Sequence, residues 1–285
     1  MRLAMSNIAW SADERLEAYA ILAEAGITGL EIAPGIFFHA AADPFVPDEA
    51  SAHEALREAT DAGLSLVSMQ SLLFGVSGAA LFEGPEARTV FERGMHRAIT
   101  LAGRFGIPNL VFGSPAQRRA PEGLAMEAAL AEAAAVFRRL GDAASAAGTR
   151  ITIEANPAAY GTNFLNTLDE AEAFVALVDH PAIALILDLG AMHMNASFAS
   201  VPARLPDLAP RLNHVHVSEP DLAPAPADAA ALVPVMRGLR AAGYAKAVSI
   251  EMKRPAQGLA DVRQAVARLV AVHQATYQTE GAILA

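Results

Sequence analysis

Short apolar runs alternate with longer, Ala-rich amphipathic segments along the whole chain, and glycine or proline often separates them. The apolar runs have the length of buried strands, and the longer segments have the length of helices. The pattern predicts eight strands, at Leu3–Ser6, Gly29–Ile32, Ser65–Met69, Asn109–Phe112, Arg150–Ile153, Ala184–Leu187, Leu212–Val217 and Ala247–Ile250.

Helices are predicted between these strands, and several of them are followed by the glycine that commonly ends a helix. They are expected at Asp13–Ala25, Asp48–Ala62, Pro85–Phe105, Gly123–Ala147, Leu168–Val178, Ala229–Ala242 and Asp261 to about Glu280, with at most a short helix in residues 201–210. Regular alternation of this kind favours a parallel sheet with helical crossovers. Eight units in 285 residues favour one α/β domain over residues 1–285, a single (β/α)8 TIM barrel.

Composition and charge narrow the possible functions. The chain is 53% hydrophobic and 18% charged, which suits a sheet buried beneath helices. Its net charge of −10 counts against binding to nucleic acid, and the absence of cysteine excludes disulfides, thiolate metal sites and a cysteine nucleophile. No apolar run is long enough for a membrane span, and the first residues do not resemble a signal peptide, so we expect a cytoplasmic protein.

Four of the predicted strands carry a residue that binds divalent metals at or just after their carboxyl ends: Glu154, Asp188, His216 and Glu251. Their spacing suits one strand and one crossover helix per step, which would bring all four to the same end of a parallel barrel. Carboxylates and one imidazole suit Mn²⁺, Mg²⁺ or Co²⁺, and zinc less well without thiolates. The sequence therefore predicts a metal site, with Mn²⁺ as the expected ion, and a metal-dependent enzyme.

Several segments resemble the xylose-isomerase-like TIM-barrel superfamily of sugar and sugar phosphate isomerases and epimerases. They are IEANPAAYGTNFLNT (153–167), LDLGAMHMN (187–195), NHVHVSEP (213–220) and VSIEMK (248–253), with weaker support from LEIAP (30–34) and SMQS (68–71). Ketose 3-epimerases of this family hold one divalent ion with Glu, Asp, His and Glu, which match the four residues above. The resemblance implies that Glu154 and Glu251 are also the catalytic acid/base pair, one on each face of a ketose.

The chain departs from those epimerases where they recognise substrate hydroxyls. Ala191 stands where they carry a histidine, with His193 two positions further on, and Leu222 stands where they carry an arginine. We therefore expect a different small sugar as substrate. The expected substrate contacts are Glu31, Gln70, Asn156, His193, Ser218 and Lys253.

Other polar residues allow two readings each. His214 shares a strand face with His216 and is expected either to bond to it or to lie deeper in the barrel. Arg118 and Arg119 follow the fourth strand, where an arginine pair can grip a phosphate or remain solvated.

The reaction also remains open at this stage. Proton transfer through an enediolate would make the protein an isomerase, either a ketose epimerase or an aldose–ketose isomerase. Loss of water from the same intermediate would make it a lyase of the keto-inositol dehydratase type. A non-catalytic sugar-binding barrel is a third possibility, and a homodimer is a possible assembly. An apurinic endonuclease of the same superfamily is disfavoured by Ala191 and by the negative charge.

Overall fold

Eight parallel strands close into a barrel in which each strand pairs with its neighbours in chain order, and the eighth pairs with the first. The computed structural model describes residues 1–278. The strands are β1 (Arg2–Ser6), β2 (Gly29–Ile32), β3 (Ser65–Met69), β4 (Asn109–Phe112), β5 (Arg150–Ile153), β6 (Ile183–Asp188), β7 (Leu212–Val217) and β8 (Ala247–Ile250). The single (β/α)8 barrel predicted from the sequence is confirmed.

Helices surround the barrel. They are α1 (Arg15–Glu24), α2 (Pro34–Phe37), α3 (Glu49–Asp61), α4 (Pro85–Phe105), α5 (Met126–Ala146), α6 (Leu168–Val178), α7 (Leu189–Met194), α8 (Val201–Leu208), α9 (Ala229–Ala241) and α10 (Leu259–Ala275). Local sequence explains several of their ends. Thr167 and Glu170 form a capping box at the start of α6, and Gly106 takes the left-handed conformation at the end of α4.

The structure differs from the predicted elements in three places. The short helices α2 and α7 fall where the sequence predicts loops, and α10 ends at Ala275. Glu280, the predicted end of that helix, lies outside the described residues. No helix among residues 1–278 is long and apolar enough to cross a membrane.

The core between barrel and helices is apolar and rich in aromatic side chains. Phe112 on β4 packs edge-on against Phe91 of α4 and Phe137 of α5, and Phe137 continues the contact to Phe174 of α6. Edge-to-face aromatic contacts of this kind add to the energy of burial. These contacts pack α4 and α5 against β4 and join α6 to α5.

The interior of the barrel, by contrast, contains a series of polar residues. They are fully or almost fully buried and include Ser6, Glu31, Ser68, Asn109, His214, His216 and Ser249. Buried polar groups are stable only when they are hydrogen-bonded, and several of these bond between strands: Asn109 on β4 donates to Ser68 on β3 at 2.9 Å and accepts from Asn213 on β7 at 2.7 Å. These polar residues lie beneath the carboxyl ends of the strands.

Candidate metal centre and active site

Strand register brings the four predicted metal ligands together at the carboxyl end of the barrel. Asp188 is the last residue of β6 and lies beside His216 of β7. Glu154 and Glu251 directly follow β5 and β8. One ligand atom from each of the four lies within 4.8 Å of the ligand atoms of the other three.

The ring of His216 is at the centre of this group. Its Nδ1 lies 3.1 Å from a carboxylate oxygen of Glu251, 3.4 Å from one of Glu154 and 3.5 Å from one of Asp188. The same nitrogen is buried and has no hydrogen-bond partner. Three carboxylates facing one unpartnered imidazole nitrogen are the donor set that a divalent ion such as Mn²⁺ or Mg²⁺ takes, so these residues fit a metal.

Burial and neighbouring charges shift the pKa values of Glu251 and His216. Burial raises the pKa of Glu251 to about 7, with the charges of Glu154 and Asp188 adding to the effect and His216 opposing it. Burial lowers the pKa of His216, but the carboxylates of Glu251 and Glu31 outweigh burial and hold that pKa well above its usual value. Burial is thus the main cause of the Glu251 shift, whereas the neighbouring carboxylates cause the His216 shift against burial.

The Asp188 carboxylate is oriented by its surroundings. One oxygen accepts the backbone N–H of Ala191 and so caps α7, and the other accepts the hydroxyl of Ser218 at 2.9 Å. Ser218 in turn accepts the backbone N–H of Gly190 at 2.8 Å. A Cβ on Gly190 would lie 2.9 Å from the carbonyl oxygen of Glu219, so glycine is needed for α7 to approach the loop after β7.

Glu154 is positioned by residues on both sides of its strand end. Its Oε2 accepts the side-chain amide of Asn156 at 2.9 Å. A Cβ on Gly113 would lie 2.4 Å from that oxygen, so the glycine after β4 leaves room for the carboxylate. Arg118 donates to the backbone carbonyl of Glu154 at 2.7 Å and to that of Leu165 at 3.3 Å.

Arg118 differs from both sequence interpretations, since it is neither solvated nor available to a phosphate. Its side chain has no exposed surface, and its neighbour Arg119 is exposed. The guanidinium is used to bridge two backbone carbonyls near Glu154, which is a structural role.

Two cavities meet at the carboxylates. The larger cavity, of about 420 Å³, is lined by Glu154, Asp188 and Glu251. The second, of about 320 Å³, extends toward the loops after β3 and β4. Glu154 and Glu251 line both cavities. A small molecule in either cavity would therefore have both carboxylates within reach.

The structure divides the six expected substrate contacts. Asn156, Ser218 and Lys253 line the larger cavity, and Gln70 lines the second. Glu31 and His193 line neither of these two cavities, which differs from the expectation. His193 lies on α7, stacks on Phe198 with ring centroids 3.9 Å apart and faces a separate space of about 60 Å³.

Glu31 does not line the cavities because it lies within β2, below the ends of the strands. Its side chain there has no exposed surface. Its carboxylate contacts His214, His216 and Gln70. Burial raises the pKa of Glu31, but the two histidines lower it by more than burial raises it. The pKa of Glu31 therefore lies well below its usual value. His214 is also fully buried, which agrees with the deeper of its two predicted positions.

Several residues of the cavity walls are not among the six expected substrate contacts. Tyr160, Asp221 and Leu222 line the larger cavity, and Ser71 and Ser114 line the second. Among these, both serines, Asp221 and Leu222 have positive φ. Non-glycine residues in this region are uncommon and cluster at functional sites. Tyr160 could have been found, since it lies in the segment after Glu154 that resembles the sugar isomerases.

A family model described as xylose isomerase-like TIM barrel matches residues 19–272. Among curated proteins, no match reaches significance.

Solved structures with the same fold include several sugar epimerases. An L-ribulose 3-epimerase superposes with a TM-score of 0.76 at 18% identity, covering 100% of this chain and 98% of its own. D-psicose 3-epimerase from Clostridium cellulolyticum H10, solved with D-tagatose, gives 0.73 at 16% identity over 97% and 96%. The 3-keto-D-glucoside 4-epimerase YcjR from E. coli gives 0.73 at 18% identity over 96% and 99%. At these identities the similarity establishes the shared fold.

Proposed function

The chain belongs to the xylose isomerase-like TIM-barrel family, and from that premise we propose that it is a divalent-metal-dependent isomerase or epimerase of a small sugar. The observation that carries the proposal is the convergence of Glu154, Asp188, His216 and Glu251 within 4.8 Å, at the floor of an open cavity. The sugar epimerases among the structures of the same fold support the reaction class.

The four residues would hold one ion through three carboxylates and His216 Nδ1, with Mn²⁺ as the proposed metal. When bound, such an ion supplies positive charge that polarises a substrate carbonyl and stabilises the enediolate left by proton loss. The surrounding bonds from Ser218 to Asp188 and from Asn156 to Glu154 keep the carboxylates in place. A ligand set held in this way loses little freedom when the ion binds.

Glu154 and Glu251 are the proposed acid/base pair. Both line the two cavities, so a sugar lying across the boundary would present opposite faces to them. One carboxylate would remove the proton next to the carbonyl, and the other would return a proton to the opposite face. Return of a proton to the same carbon by the other carboxylate gives epimerisation, whereas a single carboxylate that carries the proton to the neighbouring carbon gives aldose–ketose isomerisation.

Cavity-lining polar groups would orient the substrate. Asn156 already bonds to Glu154, and Ser218 to Asp188. Lys253 also lines the larger cavity and is exposed. We propose that these three, with Gln70 on the other side, contact substrate oxygens. A homodimer and a cytoplasmic location stay predictions, and sedimentation velocity would check the first.

The test is a screen of free and phosphorylated ketoses and keto-inositols in D₂O with Mn²⁺. The proposal predicts deuterium at the carbon that loses its proton, with an isomer or epimer as product. Absence of exchange with every candidate would contradict it. A product that absorbs in the ultraviolet after loss of water would instead identify the dehydratase-type lyase.

Matched variants connect the activity to the site. Glu154→Gln and Glu251→Gln should each lower exchange at least roughly 100-fold, because a general acid or base contributes about 10²–10⁴ to the rate. Glu127→Gln, an exposed position at the start of α5, is the control and should exchange like the unaltered protein. Exchange at the unaltered rate in both Glu154→Gln and Glu251→Gln would contradict their assignment as the acid/base pair.

A further inference from the structure

The buried carboxylate of Glu31 lies below the proposed metal ligands and contacts the far side of the His216 ring. His216 Nε2 is 3.0 Å from one Glu31 oxygen and 3.1 Å from the other. His216 Nδ1, on the opposite edge of the same ring, faces Glu154, Asp188 and Glu251. One imidazole therefore connects the buried carboxylate to the proposed metal site.

All the polar neighbours of Glu31 can donate to it. Gln70 donates its amide N–H at 3.1 Å, and His214 Nε2 lies 2.8 Å from the second oxygen. Gln70 also donates to Ser6, which sits opposite Glu31 in the pairing of β1 with β2. The carboxylate is thus enclosed by nitrogens and has no exposed surface.

We propose that Glu31 is a positioning residue that holds the proton of His216 on Nε2 and so presents the Nδ1 lone pair to the metal ion. This inference rests on the proposed function, because it assumes an ion at the four strand-end residues. A neutral imidazole carries one proton, and an ionised carboxylate can only accept. An ion held by Glu154, Asp188 and Glu251 needs Nδ1 without a proton, so the one proton of the neutral ring lies on Nε2, where Glu31 accepts it.

The negative charge of Glu31 has a second effect. A carboxylate bonded to the outer N–H of a ligating histidine raises the basicity of the ring and fixes its orientation, and loss of such a partner typically weakens metal binding 10–100-fold. Three carboxylates already face the proposed ion. Glu31 is a fourth that would influence the ion through the His216 ring without being a ligand itself.

Two rival roles for Glu31 are distinguishable. A substrate contact conflicts with its burial and with its absence from both cavities. A second metal ion is the other rival, since Glu31, His214 and His216 also offer ligand atoms within 4.8 Å of one another. An ion there would take His216 Nε2 as a ligand, and no proton would remain on that nitrogen.

The first experiment compares Mn²⁺ affinity, from the electron paramagnetic resonance signal of the free ion, in unaltered protein, Glu31→Gln and Ser68→Ala. Glu31→Gln keeps the size of the side chain and removes the charge, and we expect its dissociation constant for Mn²⁺ to rise about 10–100-fold. Ser68 pairs with Glu31 across β2 and β3 and bonds to Asn109, so its replacement perturbs the same interior without touching His216. Ser68→Ala should bind Mn²⁺ like the unaltered protein while its melting temperature falls.

The second experiment needs no variant that might fail to fold. In unaltered protein loaded with diamagnetic Mg²⁺, long-range ¹H–¹⁵N correlations should place the His216 proton on Nε2. A proton on Nδ1, or two bound ions per chain, would overturn the inference, as would normal Mn²⁺ binding by Glu31→Gln. Failure of the unaltered protein to bind any Mn²⁺ would instead refute the proposed function on which the inference rests.

Discussion

The imidazole Nδ1 of His216 lies 3.1 Å from a carboxylate oxygen of Glu251, and both side chains are buried at the mouth of the barrel. Without an ion, this contact is an ion pair in which His216 carries a proton and Glu251 competes with two other carboxylates for it. With an ion, the same nitrogen and the same oxygen become neighbouring ligands. Protons and metal therefore compete for one set of atoms.

Metal affinity should consequently depend on pH. The pKa of His216 lies well above its usual value and that of Glu251 is raised to about 7. Below about pH 7 both groups hold protons that must leave, whereas above it only His216 does. The dissociation constant for Mn²⁺ should rise about 100-fold per pH unit below pH 7 and about tenfold per unit just above it.

Calorimetric titrations in buffers of different ionisation enthalpy measure the number of protons released. We expect that number to approach two below about pH 7 and one just above it. A release that stays at zero across this range would show that the metal-free site is already deprotonated, and would contradict the raised pKa values of His216 and Glu251.

The barrel and the four strand-end residues were predictable because each rests on a simple rule. Apolar runs separated by helical segments define parallel strands, and parallel strands deliver their last residues to one edge. Depth within a strand was harder to predict. Glu31 is the third residue of β2 and points into the interior, whereas Glu154 and Glu251 come after their strands end.

Local backbone conformation explains the other differences. Asp188 caps α7, and this short helix carries His193 away from the larger cavity to stack on Phe198. The cap is readable in hindsight, because Asp is a favoured residue at a helix start. The left-handed backbone of Leu222 has no comparable signal, since leucine rarely adopts it, whereas the neighbouring Asp221 is of a type that is enriched there.

Ser218 should contribute to metal binding through Asp188. Ser218→Ala removes the 2.9 Å bond to Asp188 and leaves the backbone N–H of Gly190 without its acceptor. We expect the free energy of unfolding to fall by about 1–3 kcal/mol and the Mn²⁺ dissociation constant to rise about tenfold. Urea unfolding of the metal-free protein and Mn²⁺ titration measure the two effects separately.

Ser249→Ala is the control for that comparison. Ser249 is a buried serine on the neighbouring strand, and its hydroxyl makes a long 3.5 Å bond to the carbonyl of Ile250. Its loss should cost less stability and leave Mn²⁺ affinity unchanged. Equal effects of the two substitutions on metal binding would contradict a specific role for Ser218.

Arg118 should stabilise the loop after β5. Arg118→Met removes the donors of two backbone carbonyls, those of Glu154 and Leu165, from a fully buried position. We expect a loss of roughly 1–3 kcal/mol in the free energy of unfolding, the cost of one unsatisfied buried group, because the Leu165 carbonyl still accepts the backbone N–H of Asn156 at 3.1 Å. The exposed Arg119→Met is the matched control and should change stability by less than about 0.5 kcal/mol.

Gly113 should control the position of the Glu154 carboxylate. In Gly113→Ala the new Cβ would lie 2.4 Å from Glu154 Oε2, so the carboxylate must move. A displacement of about 1 Å at a catalytic group can cost about 100-fold in rate, and we expect a loss of that size in deuterium exchange. In Glu154→Gln, where the acid/base group is already disabled, adding Gly113→Ala should lower exchange little further. Multiplication of the two losses would show that Gly113 acts elsewhere than through Glu154.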